Sequence, residues 1–182
     1  MTTNNTDKEL LALFKNPETT KQGFNLIVRT FQERIYWHVR KIVIDHDDTN
    51  DVVQNTFIKI WKALPNFRGD SKIYTWLYRI ATNESITFLK KKRKHLFQSI
   101  DEVSHGLSSQ IDGPYFDGDE IERKLQKAIL TLPTKQRLVF NMKYFDELKY
   151  DEISEILGTS VGALKASYHH AKNKIEDYLT NN

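Results

Sequence analysis

Trp76, Arg79, Asn83 and Lys90 fall at helical spacing within the stretch from Ile73 to Lys94, IYTWLYRIATNESITFLKKKRK. At about 100° per residue, Ile73, Leu77, Ile80, Ala81 and Phe88 share one side as a core-facing stripe. Arg79, Asn83 and Lys90 gather elsewhere, with Trp76 and Thr87 on the boundary. Lys and Arg attract phosphates, a side-chain amide can bond base edges, and an exposed indole can stack on an unpaired base. The chemistry open to such a face is nucleic-acid recognition. The plainer alternative is a solvated polar face whose aromatics serve the core.

Two other groups invite a chemical reading. Asp45-His46-Asp47-Asp48 could suggest a metal or acid-base site, but it precedes a strong helical pattern. Asp is favoured there as an N-cap and in the first turn, where backbone N–H groups are exposed. His169-His170 are adjacent, so they point about 100° apart on a helix, and no ligand at helical spacing completes a site. No metal, cofactor or catalytic residue is expected. The chain has no cysteine, which removes disulfides, thiolate metal sites and cysteine nucleophiles, and suits a reducing cytosol. No apolar run approaches a membrane span, and the polar start MTTNNTDKEL lacks the parts of a signal peptide. A cytoplasmic protein without direct membrane insertion is expected.

Charge divides the 182 residues into three. Residues 1–95 carry 17 Lys and Arg against 10 Asp and Glu, a net of +7. Residues 96–118 carry none against 4, and residues 119–182 carry 10 of each. The first segment is therefore the better candidate for contact with a polyanion. The middle one holds three glycines and no persistent period, and reads as a flexible acidic linker. The expected fold is all-α: two small helical domains, 1–95 and 119–182, joined by the linker 96–118.

Within the first domain, Leu10 to Phe14 suggest a short helix that ends near Asn16-Pro17, and the helical recurrence of Phe24, Ile27, Val28, Phe31, Ile35 and Ile42 a long core helix from about Thr20 to Val43. From Thr49 to Leu64, Val53, Phe57, Ile60 and Leu64 form a core stripe. Asp51, Gln54, Asn55, Ile58 and Lys62 share the other side, where one apolar residue ringed by hydrogen-bonding groups suits a docking face. The loop PNFRGDS, residues 65–71, offers Phe67 and Arg68 to a ligand. In the second domain, a short helix from Asp151 to Leu157 is followed by Gly158 as a cap, and Ser160 can N-cap a longer helix. That is the helix-turn-helix pattern, with Lys165, Ser167, His169, His170 and Lys172 as candidate DNA contacts.

Together, DVVQNTFIKIWKAL, PNFRGDS, YTWLYRIATNESITFLKKKRK and the later block from Leu132 to Ile175 resemble the extracytoplasmic-function RNA polymerase sigma factors. The likeness covers about Phe24 to Leu179. It implies a non-enzymatic specificity subunit whose partners are core RNA polymerase and promoter DNA, and it allows an anti-sigma factor. By motif position, Asp51, Gln54, Asn55 and Trp61 would dock on the polymerase, with Ile58 beside them. Trp76, Arg79, Asn83, Thr87 and Lys90 would face the minus-ten element. The loop residues Phe67, Arg68, Asp70 and Ser71 would hold a flipped base. Ser160 and the residues from Lys165 to Lys172 would meet the minus-thirty-five element. Many relatives carry Asp where Thr87 stands, and Arg where Ser167 and His170 stand, so a different promoter preference is expected. The alternative is a free-standing helix-turn-helix regulator, which would leave the first domain's faces without a purpose. A metal-dependent nuclease has no support from ligand spacing.

Overall fold

The computed structural model describes residues 3–96 and 120–181, and all regular structure among them is helical. Helix α1 spans Thr3–Lys15, α2 Thr20–Val43, α3 His46–Ala63 and α4 Ile73–Leu96, with a 3-10 turn at Leu64–Asn66 before α4. Later come α5 (Glu120–Leu130), α6 (Thr134–Tyr144), α7 (Tyr150–Leu157) and α8 (Val161–Asn181). Apart from Leu96, which ends α4, the expected acidic linker lies outside the described residues, as do the side chains of Arg93 and Lys94.

α2 is the central helix of the first half. Ile27, Phe31, Ile35, Val39 and Ile42 recur every three or four residues and are buried. The same face carries a buried histidine, His38. α1 crosses α2 at Gly23, where an added Cβ would come within 2.5 Å of the Phe14 nitrogen and 2.8 Å of the Leu13 carbonyl carbon. Glycine is thus required there by close approach of two backbones. Asp45 caps α3 by accepting the Asp48 N–H at 2.9 Å, the structural role its position suggested. Asp48 in turn pairs with Lys92 near the far end of α4.

The core stripes differ in detail from the expected ones. On α3 the fully buried residues are Thr49, Val52, Thr56 and Ile60, while Val53 and Phe57 are half-buried. On α4, Thr75, Tyr78, Thr82 and Ser85 join Ile73, Leu77 and Ala81 inside, and Ile80 and Phe88 are half-buried. The reason is local hydrogen bonding. Thr56 donates to the Val52 carbonyl at 2.7 Å, Thr82 to Tyr78 at 2.8 Å and Ser85 to Ala81 at 2.8 Å. A hydroxyl satisfied by the preceding turn can be buried with little penalty.

In the second half, Ala128, Ile129, Leu132, Phe140, Ala171 and Ile175 form a cluster of their own. Val139, Met142, Leu148, Ile153, Ile156 and Leu164 belong instead to the core that contains α1 to α4. The two halves are therefore packed together, with α7 against α4 and α6 against α2.

Candidate nucleic-acid interface

On α3 the side turned away from the core exposes Asp51, Gln54, Asn55 and Ile58. They follow one another at helical spacing, so a single flat face carries two amides, a carboxylate and an apolar anchor. Trp61 sits at the edge of this face, 39 % exposed, its ring held edge-on by Phe24 at 4.9 Å and by Phe14 at 5.8 Å.

α4 presents Arg79, Asn83 and Lys90 in one exposed row, as the spacing predicted, and Thr87, expected at its boundary, is exposed with them. Trp76 lies half-buried at the start of that row with its ring 5.0 Å from Phe67. Phe67 corrects an expectation: at 7 % exposure it is a core residue that supports Trp76 from below, not a side chain offered to a ligand. The loop's accessible side chains are Arg68 and Asp70, with Ser71 half-buried, and Gly69 adopts a left-handed φ of +84° in the turn. Of the basic run, Lys90 and Lys91 are exposed, while Lys92 is engaged by Asp48.

The helix-turn-helix is built as expected. Gly158 closes α7 in the left-handed region at φ +61°, donating its N–H to the Ser154 carbonyl at 2.9 Å. Ser160 Oγ accepts the Ala163 N–H at 3.4 Å at the start of α8, and Leu164 anchors that helix in the core. Lys165, His169, His170 and Lys172 are exposed, and Ser167 is half-buried. Several are already engaged within the chain. Lys165 lies 5.9 Å over the Tyr150 ring, Asn173 bonds His169 at 3.3 Å, and Lys172 pairs with Glu176 at 3.3 Å.

Comparison with known proteins agrees with this geometry at the level of sequence. Residues 27–95 match the Sigma-70 region 2 family and residues 122–175 match Sigma-70, region 4. The ECF RNA polymerase sigma-E factor of Escherichia coli (strain K12) is 32% identical over 166 residues, covering 86% of each chain. The chain belongs to the ECF RNA polymerase sigma factors. It is a non-enzymatic subunit that binds core RNA polymerase and directs promoter recognition and transcription initiation. The RNA polymerase sigma-H factor of Pseudomonas aeruginosa is also similar, 29% identical over 195 residues, covering 98% of this chain and 96% of that one. Two solved structures share the fold. CnrH, in complex with the cytosolic domain of CnrY, superposes with a TM-score of 0.71 at 22% identity, covering 97% of this chain and 98% of that chain. RpoE of Bartonella quintana, in complex with the anti-sigma factor NepR, gives 0.69 at 20% identity, covering 86% and 96%.

The sigma factor has a further set of residues that the sequence alone did not single out, at the contact between its two regions. His38 Nδ1 meets Asp146 at 2.9 Å, and its other ring nitrogen meets Thr82 Oγ1 at 2.8 Å. Lys41 pairs with the same Asp146 carboxylate, and Asn141 Nδ2 donates to the Lys41 carbonyl at 3.3 Å. A second contact joins Lys72 to Glu152 at 3.1 Å, with the Tyr74 hydroxyl beside the same carboxylate. Burial pushes the Asp146 carboxyl up, but the His38 hydrogen bond and the His38 and Lys41 charges outweigh it and hold the group below its ordinary range. Glu152 behaves alike: burial raises it, while bonds from Tyr74, the Lys149 N–H and Lys72 bring it down overall. Burial, then the nearby Asp146 charge, pushes the Tyr78 phenol up to about 12. One sequence signal was available, since His38 falls on the apolar face of α2 between Ile35 and Ile42.

Proposed function

We propose that this sigma factor divides its work among three surfaces. Asp51, Gln54, Asn55 and Ile58 on α3, with Trp61 at the edge, dock on core polymerase. The α4 row of Arg79, Asn83, Thr87 and Lys90, together with Trp76 and the Arg68–Ser71 loop, reads and opens the minus-ten element. Ser160, Lys165, Ser167, His169, His170 and Lys172 at the start of α8 read the minus-thirty-five element from the major groove. Trp76 and Asn83 serve unpaired bases, while Arg79 and Lys90 serve phosphates.

The observation that carries this reading is the exposed row on α4, whose buried side is fixed by Ile73, Leu77 and Ala81. Base stacking and base pockets there can offset an unstacking cost of roughly a few kcal/mol per step. A cytoplasmic location fits the polymerase partner, and among the described residues no helix is long and apolar enough to cross a membrane. RpoE was solved with an anti-sigma factor, which supports a partner of that class here.

Run-off transcription with core polymerase tests the assignment. Promoter-directed transcript that is lost when Asp51→Ala and Gln54→Ala are combined supports it. Unimpaired transcript from the double variant would remove the docking face from α3.

A further inference from the structure

α1 lies ahead of the region 2 match, which begins at residue 27, yet it touches both working helices. At one end the Asp7 carboxylate accepts the backbone N–H of Ile73, the first residue of α4, at 3.1 Å. The first four N–H groups of a helix have no partner within it, and a carboxylate there also complements the helix dipole. This cap is supplied from 66 positions away in the sequence. Seven residues on, two helical turns along the same face, Phe14 packs edge-on against Trp61 of α3 at 5.8 Å. Between them Leu10 is buried in the same core as Ile73, Leu77 and Leu64. The close crossing at Gly23 sets how near α1 sits to α2.

We propose that Asp7 is a positioning residue for promoter opening. By holding the first turn of α4 it fixes the orientation of Trp76, three residues on, against Phe67, and with it the row that begins at Arg79. Through Phe14 and Trp61 the same helix is seated against the polymerase-docking helix, so α1 ties the docking element to the opening element. The inference rests on the assignment of α4 to the minus-ten element, and the test separates the two.

Full-length Asp7→Ala, Asp7→Asn and Asn83→Ala variants are compared with wild type in reconstituted holoenzyme. Core affinity is measured by titration, and strand opening by the rate at which a fluorescent base in the minus-ten element reports unpairing. Asp7→Ala should open the promoter about three- to tenfold more slowly, the range expected for a lost helix cap, with core affinity within about twofold of wild type. Asp7→Asn keeps an acceptor oxygen and should recover most of the rate. A general folding defect would lower core affinity in parallel, and that result overturns the proposal. Wild-type opening by Asp7→Ala alongside slow opening by Asn83→Ala overturns the proposal and leaves the α4 assignment standing. Wild-type opening by both overturns both.

Discussion

His38 and Asp146 stand 108 positions apart and meet at 2.9 Å between α2 and the turn that follows α6. The imidazole is 1% exposed and the carboxylate 5%. With Lys41 on the other oxygen, they form a buried polar joint between region 2 and region 4. The second joint, Lys72 with Glu152, brings the start of α4 against α7, the first helix of the helix-turn-helix.

If α4 meets the minus-ten element and α8 the minus-thirty-five element, as proposed, this closed arrangement is too compact to reach both. The minus-ten and minus-thirty-five elements lie roughly 85 Å apart at about 3.4 Å per base pair, whereas α8, the longest element of region 4, extends about 32 Å. On the proposed assignment, regions in direct contact should therefore separate when both elements are bound. Removing one partner of a buried charged pair is strongly destabilising, by roughly 3–5 kcal/mol where burial is complete. Asp146→Ala should accordingly shift the free protein towards separated regions, seen as a larger radius of gyration in small-angle scattering. An unchanged radius would mean that the joint does not hold the closed form.

Acid should have a related effect. The lowered pKa values of Asp146 and Glu152 mean that the closed form favours their ionised states. That preference is fully present above the ordinary carboxylate range and is lost as pH falls through the lowered values. Around Asp146 the facing groups are His38, Lys41 and Tyr78, and the phenol stays neutral throughout this window. Scattering from pH 7 downwards should show opening only at acid pH. In Asp146→Asn the regions should already be separated at neutral pH and the acid response reduced; a full response in that variant would assign it to other carboxylates.

Gly23→Ala gives a direct check on the seat of α1. On helix propensity alone the change would gain about 1 kcal/mol. The added Cβ, however, would sit 2.5 Å from a backbone nitrogen that cannot rotate away. Overpacking of this kind typically costs about 1–3 kcal/mol, so the variant should be less stable in denaturant titration. A gain in stability would show that α1 does not pack at that distance.

Trp76→Ala should leave core binding intact and impair strand opening, with a modest loss of stability because the ring is half-buried over Phe67. Permanganate reactivity of melted thymines reports the opened region. If the variant's footprint matched the wild type's, Trp76 would be a core residue only.

The sequence carried the helix boundaries of α2 and α7, the Asp45 and Ser160 caps, the Gly158 turn and the exposed rows on α3 and α4, because each depends on residues within a few turns of one another. It misled where a polar residue is satisfied locally. Thr56, Thr82 and Ser85 return their hydroxyls to the preceding turn, so they enter the core that apolar spacing alone assigns to Val53, Phe57 and Phe88. Phe67 was misplaced because a turn-rich loop gives no periodicity to say which way a side chain faces. The contacts of Asp7 with Ile73 and of His38 with Asp146 join residues 66 and 108 positions apart, and one sequence holds no signal that pairs them.

The recognition helix offers the last prediction. At Ser167 and His170, where many relatives have Arg, this chain has a half-buried hydroxyl and an exposed imidazole. Arg pairs bidentately with guanine, each such pair discriminating by about 1–3 kcal/mol, and it carries a fixed charge. The exposed site at His170 can take the longer side chain without entering the core. His170→Arg should therefore raise affinity for the upstream element and steepen its salt dependence by about one unit in the log–log slope if the guanidinium reaches a phosphate. If it reaches a base instead, a guanine should appear at one position of sites selected from a randomised library. Wild-type holoenzyme should select sites without the guanine-rich upstream element of Arg-bearing relatives. Its recovery by the wild-type protein would show that promoter preference is set by residues other than these two.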